Sequence, residues 1–163
     1  MLESLTNFFA QFPPELATLL IAMTPIGELR AALPIGIAVY HLPIWQVFVL
    51  SVVGNMIPAT IILLFAPAFH KYLEKSQGRL HKLWSKYLAR AQKKFAHDYA
   101  KWGLIGLAIF VGIPLPMTGA WTGAVAAFVF GLPFKKAWWA IFLGVVGAGI
   151  IVTVMTVGIG AVL

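Results

Sequence analysis

The chain has 163 residues, of which 61% are hydrophobic and only 10% charged, and its formal net charge is +7. With a mean hydropathy of +0.90, it falls outside the composition of soluble domains and is predicted to be an integral membrane protein. The absence of cysteine excludes disulfides, thiolate metal sites and a cysteine nucleophile.

The N-terminal residues do not have the pattern of a signal peptide. No Lys or Arg precedes the first apolar segment, and Pro13 and Pro14 interrupt it. We therefore expect no cleavage and a mature chain that begins near Met1.

Two charged residues lie inside the first apolar region. Between Leu16 and Phe69, Glu28 and Arg30 are the only Asp, Glu, Lys or Arg, and they follow the helix-breaking sequence Thr24-Pro25-Ile26-Gly27. A charge at the bilayer centre costs roughly 2.5 to 3.5 kcal/mol, so such residues usually face a polar interior. The pair is a candidate functional site, although it could also only hold the fold together.

The two charges have different expected roles. Burial favours the protonated form of a carboxylic acid, so Glu28 is the candidate proton-carrying group. Arg30 stays charged and presents a planar fork suited to phosphate or carboxylate. On a regular helix residues i and i+2 point roughly 200° apart, so the two could pair only in a turn. Otherwise their partners would come from the polar residues at membrane depth, namely Thr24, Asn55, Thr60, Thr118 and Thr122.

Two apolar segments are predicted to cross the membrane. Residues 43–69 and 137–163 each contain 27 residues without Asp, Glu, Lys or Arg, more than the roughly 20 that a span requires. Within the first, Asn55 lies in Gly54-Asn55-Met56-Ile57-Pro58, where its amide could join helices or line a cavity.

A basic stretch separates the two halves. Between His70 and Lys101 there are nine Lys or Arg and two acidic residues, with apolar residues at helical spacing. The spacing predicts an amphipathic helix, and the positive-inside rule places residues 70–101 in the cytoplasm. Because this rule already accounts for the basic residues, no nucleic-acid partner is expected. This helix would anchor the topology, or bind anionic lipid head groups.

The second half repeats the organisation of the first. At a shift of 90 residues Leu132-Pro133 coincides with Leu42-Pro43 and Gly144 with Gly54, and at 91 Pro116 coincides with Pro25. Proline-interrupted apolar segments at matching places in two halves are typical of transporter binding sites. We predict one membrane domain over residues 1–163, with repeat one at 13–69, the linker helix at 70–101 and repeat two at 102–163.

Charge distribution decides between two topologies. Four full crossings would place Lys135 and Lys136 opposite the basic stretch, whereas a re-entrant hairpin in each half returns them to the cytoplasmic side. The predicted fold is therefore an all-α polytopic membrane protein of two inverted repeats, each a re-entrant helical hairpin plus a transmembrane helix. Irregular backbone at that depth requires a polar cavity, which so few segments would enclose only as a homo-oligomer, at least a dimer.

The second hairpin tip is the other half of the predicted site. Its sequence ends one helix and begins another, which exposes N-terminal amides that attract anions. The alternative is a plain kink with small residues for helix packing. The predicted substrate-binding set is Arg30, Thr24, Asn55, Pro114, Pro116, Thr118, Gly119, Trp121 and Thr122.

Enzyme chemistry finds no support in the sequence. The four histidines have no metal-ligand spacing, and no serine lies in a nucleophile elbow. We expect no catalytic residue, no metal and no cofactor.

Three motifs carry a family resemblance. GELRAALPIGIA, GNMIPA and FVGIPLPMTGAWTGAVAA, within residues 24–155, resemble the putative small multidrug export protein family, which is similar to the DedA/VTT membrane superfamily. That resemblance implies two facing re-entrant hairpins, inverted repeats and proton-driven transport or lipid translocation. In the DedA branch it implies undecaprenyl phosphate as cargo, acidic residues in the first hairpin and arginines in the second. Glu28 fits the first requirement, but no Arg or Lys occurs from Trp102 to Phe134.

The expected function is a membrane translocator in the cell (inner) membrane. It would be proton-coupled, work by alternating access, and move a polyprenyl-phosphate-type lipid or a drug-like compound. The alternatives are a non-transporting assembly or lipid-organising protein and an ion-independent lipid scramblase.

Overall fold

The described part of the chain is helical. The computed structural model describes residues 11–75, 103–114 and 118–160, and within them the predicted all-α class is confirmed. The helices are α1 (Pro14–Met23), α2 (Glu28–Pro34), α3 (Ile44–Lys75), α4 (Gly103–Gly112), α5 (Ala120–Val129) and α6 (Phe134–Gly160), with a π-helical turn at Ile35–Val39 after α2.

Two of these helices are long and apolar enough to cross a membrane, over Ile44–Ala68 and Phe134–Gly158. Both predicted spans therefore lie in long helices. Helix α3 does not end at Phe69 but continues to Lys75, into the basic stretch. Most of the predicted amphipathic helix, residues 76–101, and the last three residues of the second span lie outside the described residues.

The first hairpin, hairpin 1, consists of α1, a turn over residues 24–27, and α2 with its π-helical turn. Proline suits the first position of a helix, and α1 begins at Pro14. The chain reverses direction at the turn, and the two helical segments pack side by side. Their closeness is shown at Gly36, where an added Cβ atom would lie 3.3 Å from Thr18 Cγ2. At the end of α2, Pro34 has no N–H to donate, and the helix widens there into the π-helical turn.

Hairpin 2 consists of α4, a connection over residues 113–119, and α5. Its helices are also in contact, since a Cβ on Gly123 would lie 2.5 Å from Val111 Cγ2 and 3.8 Å from Leu107 Cδ1. Residues 115–117 of the connection are outside the described part of the chain.

The long helices α3 and α6 run antiparallel. Near the start of α6, Trp138 Nε1 donates a 2.9 Å hydrogen bond to Thr60 Oγ1, far along α3. Farther along α6, a Cβ on Gly149 would lie 2.9 Å from the ring of Phe48, near the start of α3. In addition α5 packs on α3 and α2 packs on α6, so the second helix of each hairpin contacts the long helix of the other half.

Some elements and contacts of the two halves lie about 90 residues apart in the chain. Leu42-Pro43 directly precedes α3, and Leu132-Pro133 directly precedes α6. A Cβ on Gly54 would lie 2.5 Å from the carbonyl oxygen of Leu19 in α1, and one on Gly144 would lie 2.6 Å from that of Ala108 in α4. In each half the same glycine position lets the long helix cross the first helix of its own hairpin.

The tip of hairpin 1 reaches the middle of α3. Gly36 lies against Val47, since a Cβ atom added to Gly36 would lie 2.6 Å from Val47 Cγ1. Eight residues from Gly36 toward the tip lead to Glu28, and eight residues from Val47 along α3 lead to Asn55. Both steps cover about 12 Å, so Glu28 and Asn55 lie at a similar depth, near the centre of the Ile44–Ala68 segment.

Candidate functional site

A hydrogen-bonded turn positions Glu28 at the start of α2. The Thr24 hydroxyl donates to the Ile21 carbonyl at 2.8 Å and accepts from the Gly27 N–H at 3.1 Å. The Glu28 N–H then donates to the Thr24 carbonyl at 3.0 Å. Thr24, a predicted substrate contact, thus shapes the turn.

Glu28 has a strained backbone. Its φ is +48°, in the left-handed region, which costs a residue other than glycine roughly 1 to 2 kcal/mol. Such strain persists only where the surrounding structure requires it, and it is concentrated at functional sites.

The Glu28 side chain is buried against the start of α5. It is 6% exposed, and its carboxylate accepts a hydrogen bond from the backbone N–H of Trp121. A Cβ on Gly119 would overlap the Glu28 carboxylate, so only glycine leaves room for it. Among the described residues, Glu28 Oε2 has no hydrogen-bond partner.

Arg30 joins the two hairpins. Its Nη2 donates to the Thr118 carbonyl at 2.7 Å and to Thr118 Oγ1 at 3.2 Å. The Thr118 hydroxyl in turn donates to the Ile113 carbonyl at 2.7 Å. Arg30 also interacts electrostatically with Glu28, and the side chains of both residues contact hairpin 2.

Trp121 provides a further connection between the tips. Its indole Nε1 donates to the Met23 carbonyl at the end of α1, at 3.3 Å. With its backbone N–H on Glu28 and its indole on Met23, Trp121 contacts both sides of the turn in hairpin 1.

Thr122 closes the start of α5. Its hydroxyl accepts from the Gly119 N–H at 3.0 Å and donates to the Gly119 carbonyl at 3.1 Å, so Thr122 caps the helix. Pro114 is half-buried after α4, and Pro116 lies outside the described residues.

Two polar side chains on α3 are buried without a hydrogen-bond partner among the described residues. Asn55 and Ser51 are fully buried, and residues four apart share one face of a helix. Neither the Asn55 amide nor the Ser51 hydroxyl has a hydrogen-bond partner among the described residues. Among the described residues Asn55 thus makes no interhelical hydrogen bond, and its depth along α3 is similar to that of Glu28. Ser51 was not among the predicted site residues, although its spacing of four residues from Asn55 places both on one helix face.

The site contains one acid, one base and a helix terminus. The start of a helix carries about half a positive elementary charge, and here it meets the Glu28 carboxylate, with Arg30 beside it. The lysines of α6, Lys135 and Lys136, are exposed at its first turn. No group of three or more potential metal ligands occurs in the part of the chain that the structure describes.

Comparison with known proteins identifies a family. Searches of curated proteins and of solved structures returned no match. The profile of a family described as "Putative small multi-drug export protein" matches residues 28–151, from Glu28 to the middle of α6. That match covers well over half of the chain. It includes the described residues at the contact between the hairpin tips, apart from those of α1 and of the turn before Glu28. The two long apolar helices of the chain fit a membrane protein, and by the extent of this match the chain belongs to the putative small multi-drug export protein family.

Proposed function

We propose that this protein is a proton-coupled translocator that moves an amphipathic substrate, a polyprenyl-phosphate-type lipid or a drug-like compound, by alternating access. Glu28 carries the proton, and Arg30 with the tip of hairpin 2 holds the polar part of the substrate. The protein acts as a transporter without enzymatic chemistry.

The burial of Glu28 between the hairpin tips carries this proposal. An acid that served only to fix the fold would be expected to satisfy both oxygens, because unpaired buried polar atoms are costly. Glu28 instead leaves Oε2 without a partner among the described residues, at the depth of the unpartnered Asn55. Polar atoms of this kind suit a pathway for protons and substrate.

We also propose that each hairpin is re-entrant and that the two halves are inverted repeats, a distant branch of the DedA/VTT superfamily. The tip at the middle of α3, the antiparallel course of α3 and α6, and the matching contacts of Gly54 and Gly144 support this arrangement. The protein then sits in the cell (inner) membrane as a multi-pass protein with residues 70–101 in the cytoplasm. Membrane lipids surround a homodimer that completes the cavity.

Transport into proteoliposomes tests the function. The probes are a fluorescent farnesyl phosphate and ethidium, each with and without an imposed pH gradient. We expect uptake of one probe to require the gradient and Glu28→Gln to remove that requirement. Glu15→Gln, the same change at the exposed start of α1, is the matched control and should behave as the unmodified protein. Uptake that ignores the gradient and is unchanged in Glu28→Gln contradicts the proposal.

A non-transporting assembly or lipid-organising role is the second candidate. The hydrogen bonds of Arg30 and Trp121 between the hairpins favour it, because they also serve to fix the fold. It predicts that Glu28→Ala prevents folding while Glu28→Gln keeps full cellular activity. Passive scrambling instead predicts bidirectional lipid flux without dependence on any ion gradient.

A further inference from the structure

We propose that Glu28 is an internal anion that competes with the substrate for the start of α5. The charged carboxylate fills this site, and protonation releases it for the anionic head group of the substrate. The inference rests on the proposed function, which it deepens: the substrate class becomes amphiphiles with an anionic head group, and one proton is taken up for each anion bound.

The contacts of Glu28 are those of a ligand. The first amides of a helix have no partner within that helix and bind anions, and α5 is ten residues long. The group bound there comes from another helix and accepts the Trp121 N–H. Gly119 leaves the space that the carboxylate needs.

The fit of this internal ligand is incomplete. Glu28 contacts α5 from a left-handed backbone conformation, and relief of that strain favours its withdrawal. Its buried Oε2 has no hydrogen-bond partner among the described residues. A head group with several acceptor oxygens could satisfy more donors at this position than Glu28 does.

The charges of the site select the sign of the substrate. With Glu28 neutral, Arg30 and the start of α5 together present about one and a half positive elementary charges. With Glu28 charged, about half a positive charge remains. Neither state attracts a cation, and only the protonated state strongly attracts an anion.

No other titratable group among the described residues contributes to this balance. Helices α4 and α5 contain no Asp, Glu, Lys, Arg or His. On α1 the acid is Glu15, exposed at the far end from the tip, and on α6 the charged residues are Lys135 and Lys136, exposed at its start. The charged and histidine residues of α3 lie at 70–75, beyond the Ile44–Ala68 segment. Arg30 is thus the charge that acts on Glu28.

Binding of two matched probes tests the inference. Hexyl sulfate and hexyltrimethylammonium have the same chain and fixed, opposite charges. Each is titrated into the purified protein in nanodiscs of zwitterionic lipid, with empty nanodiscs as blank, from mildly acidic to mildly alkaline pH. We expect hexyl sulfate to bind more tightly as the pH falls, by up to about tenfold per pH unit, the limit for one linked proton. In weak buffer, each sulfate bound should be accompanied by uptake of about one proton.

Variants separate competition from a general pH effect. At the alkaline end of the range Glu28→Gln should bind hexyl sulfate more tightly than the unmodified protein, by a factor that grows by up to about tenfold per pH unit, and its own binding should show no pH dependence and no proton uptake. Glu15→Gln should match the unmodified protein. The inference is overturned if sulfate binds the unmodified protein without proton uptake, or if the ammonium probe binds with proton release. Both results come from the unmodified protein, so they hold even if Glu28→Gln fails to fold.

The same data distinguish this inference from the proposed function. Sulfate binding with proton uptake but no gradient-driven transport in proteoliposomes would reject the translocator and leave the competition intact. Gradient-driven transport together with sulfate binding that takes up no proton would reject the competition and leave the translocator.

Discussion

At the scale of single residues, the site depends on a missing side chain as much as on the charged ones. Gly119 is buried at the start of α5, and the volume of its absent Cβ is filled by the Glu28 carboxylate. The backbone N–H and the carbonyl of Gly119 are also the two hydrogen-bond partners of the Thr122 hydroxyl. One glycine thus sets the approach of the two hairpins and the cap of α5.

Gly119→Ala should displace Glu28 from α5. The added methyl group overlaps the carboxylate, so we expect a loss of about 1 to 3 kcal/mol in unfolding free energy, typical of overpacking, together with loss of gradient-driven uptake. Thermal unfolding in detergent and the proteoliposome assay measure the two effects. Gly147→Ala is the matched control, because nothing lies within 4 Å of a Cβ there. Equal behaviour of the two variants would contradict the proposed position of Glu28.

Sequence alone identified the charged residues of the site but not how they are held. Glu28 and Arg30 stand out because charge inside an apolar segment is costly. Arg30 does contact Thr118, one of the expected polar partners. The sequence also indicated anion-attracting amides at the start of α5, but not that Glu28 itself would accept the Trp121 N–H, because that contact depends on how the hairpins meet.

At the scale of elements, each of the two long helices closely approaches the first helix of a hairpin at a glycine. Gly54 lies against the carbonyl of Leu19, and Gly144 lies against that of Ala108. Backbone cannot move aside as a flexible side chain can, so both crossings require the small residue.

Gly54→Ala and Gly144→Ala should destabilise the protein to a similar extent. Each methyl group would lie within 2.6 Å of a carbonyl oxygen, and we expect a loss of about 1 to 3 kcal/mol for each. Gly158→Ala, with nothing within 4 Å, should leave the stability unchanged or raise it by up to about 1 kcal/mol. Denaturant titration in detergent compares the three. A loss confined to one of the two crossing variants would count against equivalent halves.

Element boundaries followed from the sequence where a breaker residue sets them. Leu42-Pro43 and Leu132-Pro133 mark the starts of α3 and α6, because proline suits the end of an extended segment before a helix. The unbroken course of α3 past Phe69 to Lys75 was not predicted, since charged residues mark where an apolar segment leaves the membrane but do not end a helix.

At the scale of the whole molecule, the course of the chain makes a topological prediction. The chain contains no cysteine, so single-cysteine variants report without background. Gln11 precedes hairpin 1, Trp45 follows it, and Lys136 lies at the start of α6; all three are exposed. If hairpin 1 is re-entrant, Gln11→Cys and Trp45→Cys react from the same side with a membrane-impermeant maleimide. Because α3 and α6 are antiparallel, Lys136→Cys should react from the opposite side.

The outcome separates the two topologies. Labelling in intact cells and after permeabilisation gives the side of each position, and Glu15→Cys provides a second position before the tip. Gln11 and Trp45 on opposite sides would mean that hairpin 1 crosses the membrane fully. Sequence predicted the order of the segments, but the pairing of α5 with α3 and of α2 with α6 required the structure, because helix-packing partners are not encoded by periodicity.

The acceptors between the hairpins have a consequence for how this sequence can diverge. Arg30 and Trp121 both donate to main-chain carbonyls, those of Thr118 and Met23, and a carbonyl is present whatever residue occupies the position. Mutational drift at position 23 therefore leaves its acceptor intact, whereas replacement of either donor removes a connection outright. Among descendants of this gene, selection should hold the arginine and the tryptophan while the methionine varies freely in size and shape.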